Sequence, residues 1–156
     1  TYLTPHRLHR MFPDTSPRCP RCGEVEATFI HMVWTCPVVS RAWEQVQQHI
    51  SMITDTHTRV DPLLCLLGIT KRSKTNKGYL RMVYLAMVLF KRLIAMAWKA
   101  SSAPDVRCWL RVLLKWANAE IDTTLGIQRA RGGRGAITMW DTYILKINNM
   151  IDDNTE

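Results

Sequence analysis

Long apolar runs are missing from this sequence. The longest uncharged apolar stretch, Met82 to Phe90, is nine residues, against the roughly 20 that a helix needs to cross a bilayer. Cysteine is too sparse for a disulfide scaffold. There are five in 156 residues, three of them in one cluster taken up below, which leaves only Cys65 and Cys108. A thiolate cluster of that kind suits a reducing compartment. Cys65, inside an apolar segment, reads as a small core residue. Phosphate-cradling glycine loops, a dinucleotide fingerprint, internal repeats and a Ser-His-Asp ordering are also missing. Nothing in the sequence pairs a nucleophile with a base, so the chain by itself is not expected to be an enzyme. It begins at Thr1 with no initiator Met and no signal peptide, and is expected to be a piece of something longer.

Acid is scarce in one long window. From Lys71 to Lys115 there are eleven basic residues and one acid, Asp105. The window therefore carries +10 of a total of +8, and the rest of the chain carries −2. Such a concentration of cations is an electrostatic footprint for phosphate. An acidic protein, an anionic lipid surface or a merely solubilising face are the competing readings. The basic side chains expected to meet nucleic acid are Lys71, Arg72, Lys74 and Lys77 in a basic loop, with Arg107, Arg111 and Lys115 four apart on one helix. Arg129, Arg131 and Arg134 in the run RARGGRG join them, although that run also reads as a plain linker.

What the sequence does have is four metal-ligand side chains close together. Cys19, Cys22, His31 and Cys36 have the spacing C-x2-C-x8-H-x4-C. Three thiolates and one imidazole form a filled, soft, tetrahedral set that fits one structural Zn2+ and leaves no position for a catalytic water. Buried free cysteines beside a chance histidine are the alternative. Pro20 and Gly23 shape a turn whose N–H groups can point at the thiolates, with Gly23 supplying the open φ. Arg18 and Arg21 flank these ligands and are expected to face phosphate. Trp34, between His31 and Cys36, is expected either to pack on the following helix or to stack on an unpaired base. His6 and His9 read as surface or nucleic-acid contacts rather than ligands.

The remaining pattern is helical. Thr4-Pro5 reads as an N-cap and first residue of a short helix. Val39, Ala42, Trp43, Val46, Ile50 and Ile53 recur at three and four residues, which predicts an amphipathic helix. Residues 54–61 read as a polar loop. The segment DPLLCLLGI (61–69) is compatible with a helical turn or an extended piece. A basic loop over 71–78 precedes a central helix over 79–100. Another helix runs from about residue 104 to Leu125, with a buried stripe of Val106, Trp109, Leu110, Leu113, Trp116 and Ala117 and with Gly126 as its C′ residue. A last helix over 136–151 carries Ile137, Trp140, Ile144, Ile147 and Ile151. The expected fold is mainly α, a small CCHC zinc knuckle followed by a bundle of about four helices. The divisions are residues 1–37, 38–151 and a tail over 152–156.

TPHRLHRMFPD, then CPRCGEVEATFIHMVWTCP, a Trp-bearing helix, DPLLCLLGI, AMVLFKRLIAMAWK, PDVRCWLRVLLKWANAEI and ITMWDTYI occur in that order. In this order the sequence resembles the C-terminal segment of vertebrate LINE-type retrotransposon reverse transcriptases over nearly its full length. The family's CCHC set maps onto Cys19, Cys22, His31 and Cys36. Many members have x3 then x7 before the histidine, where this chain has x2 then x8. The resemblance implies a zinc-bearing helical domain behind a polymerase, binding RNA and helping to engage template RNA and target DNA in target-primed reverse transcription. It implies an intracellular location, in cytoplasmic ribonucleoprotein and in the nucleus. The polymerase's aromatic-x-Asp-Asp site is not in these residues, and Asp152-Asp153 is no catalytic pair. The alternative is a domesticated helical scaffold that binds a protein partner through aliphatic surface around Leu85, Leu89 and Leu93.

Overall fold

The computed structural model describes residues 3–59, 61–69, 77–130 and 139–152. Among the described residues the fold is helical, with no strand and a Cys/His cluster ahead of the long helices, as expected. The first helix, α1 (Pro5–Met11), begins where the sequence signals it. Thr4 is extended and its Oγ1 accepts from the Arg7 N–H at 3.2 Å. Pro5 occupies the first helical position, where a missing N–H is harmless.

The ligand-bearing loop ends in a π-helical turn, His31–Thr35. Helix α2 (Pro37–Thr54) starts directly from Cys36, again with proline at its first position. All six residues of its expected stripe are buried. The helix stops at Asp55, which has φ 50°, a left-handed conformation that non-glycine residues seldom adopt.

Segment 61–69 resolves as helical, in a second π-helical turn, Leu63–Leu67. Asp61 Oδ1 caps it by accepting from the Leu64 N–H at 3.0 Å. Gly68 closes it at φ +70°, donating to the Leu64 carbonyl at 3.0 Å while Ile69 N–H donates to Leu63 at 2.9 Å. That reversal of the chain is the reason glycine stands there.

Three longer helices complete the fold: α3 (Lys77–Met96), α4 (Val106–Ala130) and α5 (Met139–Asp152). Helix α3 takes in Lys77 and Gly78, which the sequence had suggested for the preceding loop. Asp105 caps α4, its Oδ1 accepting from Arg107 N–H at 2.9 Å. Gly126 does not end α4, which runs on to Ala130. Packing of α5 along α4 offsets the helix penalty of glycine, about 1 kcal/mol. Residues 131–138, including the start proposed for the last helix, lie outside the described residues.

One continuous core unites the ligand loop with the bundle. Cys19, Ala27, Met32 and Cys36 are buried in the same cluster as Trp43, Phe90, Trp109 and Ile147. Helix α2 touches α3, α4 and α5, and α4 lies between α3 and α5. A run of aromatic rings crosses this core, Trp34 to Trp43 to Phe90 to Trp109, with centroids 5.6, 4.6 and 6.4 Å apart. These separations are in the attractive range for tilted and edge-on rings. The two indoles at the centre of that run are satisfied: Trp43 Nε1 donates to Val33 O and Trp109 Nε1 to Ala86 O, each at 3.0 Å. No described helix is long and apolar enough to cross a membrane.

Candidate metal centre and basic surface

The four expected ligands converge. The Sγ atoms of Cys19, Cys22 and Cys36 and a ring nitrogen of His31 all lie within 4.8 Å of one another. Cys19 Sγ is 3.9 Å from Cys36 Sγ, and Cys22 Sγ is 3.3 Å from His31 Nε2. Thiolates bound tetrahedrally to one ion at about 2.3 Å sit about 3.8 Å apart, so the donor set is close to the arrangement that one metal ion needs.

Local chemistry explains the convergence. Gly23 adopts φ +80° and donates to the Cys19 carbonyl at 2.9 Å, while Cys19 N–H donates to Glu24 O at 2.8 Å. This tight turn brings the first two ligands together. The π-helical turn carries the other two: Cys36 N–H donates to the His31 carbonyl at 2.9 Å, which places residues five apart on one side of the turn. Thr28 Oγ1 receives the His31 N–H at 3.3 Å.

The thiols are polarised unequally. Burial opposes ionisation of Cys19, but hydrogen bonds from the Cys22 and Arg21 backbone N–H groups and from the Cys22 and Cys36 thiols outweigh it, and its pKa is lowered. Partial desolvation of its sulfur, together with the thiols of Cys19 and Cys36, pushes Cys22 up to about 11 although the residue is exposed. One thiol of the cluster therefore ionises ahead of its neighbour, which is the behaviour of close like-charged groups. A bound cation would favour the thiolate form at every one of them.

Arg21 is placed differently from the sequence expectation. It is buried, at 8% exposure, and its guanidinium donates to Met32 O at 3.0 Å, Ala97 O at 2.7 Å and Ser102 O at 3.3 Å. It fastens the ligand loop to the α3–α4 connection and has no surface to offer a phosphate. Arg18 is exposed and donates to Gly23 O at 3.1 Å. Trp34 is half-buried and packs on Trp43. His9 Nδ1 lies 2.7 Å from the Thr15 carbonyl.

Arg107, Arg111 and Lys115 are all exposed along α4, one turn apart. Trp116, expected in the buried stripe, is 47% exposed. Leu113 and Ala117 take the buried positions at that level, leaving the indole at the margin of the core. Lys71, Arg72, Lys74, Arg131 and Arg134 lie outside the described residues, as do the side chains of Lys77 and Arg129. The aliphatic surface expected around Leu85, Leu89 and Leu93 is not one: Leu89 is buried in the core and the other two pack against it. Exposed apolar side chains gather elsewhere, around Phe29, Leu63, Leu67, Val88 and Met96, where α3 meets the two π-helical turns.

No family model matches the chain, and no solved structure matches it.

Proposed function

We propose that this chain is a zinc-stabilised RNA-binding module from the C-terminus of a LINE-type reverse transcriptase. The observation that carries the reading is the pairing of a closed Cys3His set with an exposed basic stripe on α4. The ordered motifs described above support the family. Cys19, Cys22, His31 and Cys36 would hold the ion, and the softness of three thiolates favours Zn2+. Zinc bound there supplies folding free energy and no open coordination position.

In this reading Arg107, Arg111 and Lys115 contact phosphates and position a strand without reading its sequence. The module itself is not catalytic, and assists template RNA and target DNA engagement by a polymerase domain of the same polyprotein.

Two measurements test this. Metal analysis of the purified chain should return one equivalent of zinc. Affinity for single-stranded RNA across a salt series, with duplex DNA as control, should be steeply salt-dependent. Replacing Arg107, Arg111 and Lys115 together by Ala should lower the slope by about two, since each phosphate contact contributes about 0.7. An unchanged slope removes α4 from the binding surface.

A further inference from the structure

The exposed apolar side chains border a groove of about 970 Å³. Its floor is α3, contributing Val88 and Met96, and its walls are the two π-helical turns with Phe29 on one side and Leu63 and Leu67 on the other. Leu67 and Met96 are 67% and 72% exposed. Isolated exposed apolar residues are ordinary, but a contiguous patch from three elements marks an interaction site. Helical turns of opposite walls leave a channel, the shape that receives one face of a helix.

Charge narrows the occupant. Among the described residues, the charged side chains that line the groove are Lys91 and Arg92, both cationic. Lys91 Nζ donates to Leu66 O at 3.1 Å, leaving two of its three donors for a partner. Arg92 is exposed. Asp61, just before the second π-helical turn, is not among the lining residues, and its carboxylate accepts from the Leu64 N–H. We infer that this groove binds an amphipathic helix whose apolar anchors, spaced i, i+3 or i+4, and i+7, are flanked by Asp or Glu. The anchors fill the channel between Phe29 and Leu67, and the acids meet Arg92 and Lys91 at its rim. This surface is separate from the α4 basic stripe and does not depend on it.

A displayed library of amphipathic helices, half with acidic and half with basic flanks, tests the proposal against the full chain. Acid-flanked clones with Leu, Phe or Trp anchors should be enriched. Their binding should fall about tenfold or more for Leu67→Asp and for Met96→Glu, and also for Arg92→Glu. All three positions are exposed, so the variants should keep the parent's circular dichroism, and Leu67→Asp and Met96→Glu, which remove no cation, should keep its RNA salt slope. Enrichment of basic-flanked clones, no enrichment at all, or binding that survives Leu67→Asp and Met96→Glu would overturn the proposal. So would capture by phosphatidylserine vesicles that those two substitutions abolish, since the groove would then be a membrane contact.

Discussion

Arg21 and Ala97 are 76 residues apart in sequence, yet the guanidinium of the first donates to the carbonyl of the second at 2.7 Å. Arg21 also lies between Cys19 and Cys22, so this contact ties the candidate metal cluster to the segment just past α3. Replacing Arg21 by Ala removes three hydrogen bonds, leaving the Met32 and Ser102 carbonyls without this donor while Ala97 O keeps the Ala100 N–H at 3.1 Å, and should destabilise the chain by about 3 kcal/mol. Lys, lacking the planar fork, should recover only part of it. In thermal melts followed by circular dichroism, chelation should lower the parent's midpoint more than that of Arg21→Ala. Equal shifts would show that the contact carries no coupling.

The thiol of Cys65 is fully buried and burial pushes its pKa from an ordinary 9.0 up to about 12. Below pH 9 the folded and unfolded chains both keep the proton, and the group adds no pH dependence. Between about pH 9 and 12 the unfolded chain releases it while the folded chain holds it, so stability falls as pH rises, by about 1.4 kcal/mol per unit. Urea midpoints of Cys65→Ala should therefore decline less steeply than the parent's across that window. Parallel declines would show that the buried thiol is not the group responsible.

Helix α2 predicts a graded pair of substitutions. Trp43→Ala creates a cavity beneath Trp34 and Phe90 and should cost about 3–5 kcal/mol. Trp43→Phe keeps most of the ring packing but leaves the Val33 carbonyl unpaired, and should cost about 1–2 kcal/mol. A Phe variant as unstable as the Ala variant would assign the stability to the hydrogen bond instead.

Asp55 is the one described non-glycine residue with positive φ. It also places a carboxylate at the negative end of α2. Its ion pair with Lys146 is largely exposed on the Asp side and contributes little. Asp55→Gly should therefore raise stability by about 1 kcal/mol, read as a higher melting temperature. A lower one would mean that the link to α5 through Lys146 outweighs the backbone relief.

The sequence made some of this legible and hid the rest for physical reasons. The ligands, the Thr4-Pro5 start and the stripe of α2 depend on spacing within a few residues, which a linear reading captures. Arg18 and Arg21 each stand in a Pro-Arg-Cys triplet and look alike there, and what separates them is a set of carbonyls 76 and 81 residues beyond Arg21. Trp116 has the right helical phase for the core, but phase does not say where the neighbouring helices cover it. Gly126 carries the signal of a helix end, and packing against α5 overrides it. The groove escaped notice because its walls are short turns from separate segments, and each looks ordinary alone.

The four ligands differ in access: Cys19, His31 and Cys36 are buried and Cys22 is exposed. How tightly such a cluster holds an ion and how quickly it exchanges one are separate quantities. For an ion bound here, the three covered donors would govern the first, and the single exposed sulfur of Cys22 the second. With an ion held there, a competing chelator or an oxidant would meet Cys22 first, and release would begin at that one donor while the other three were still engaged.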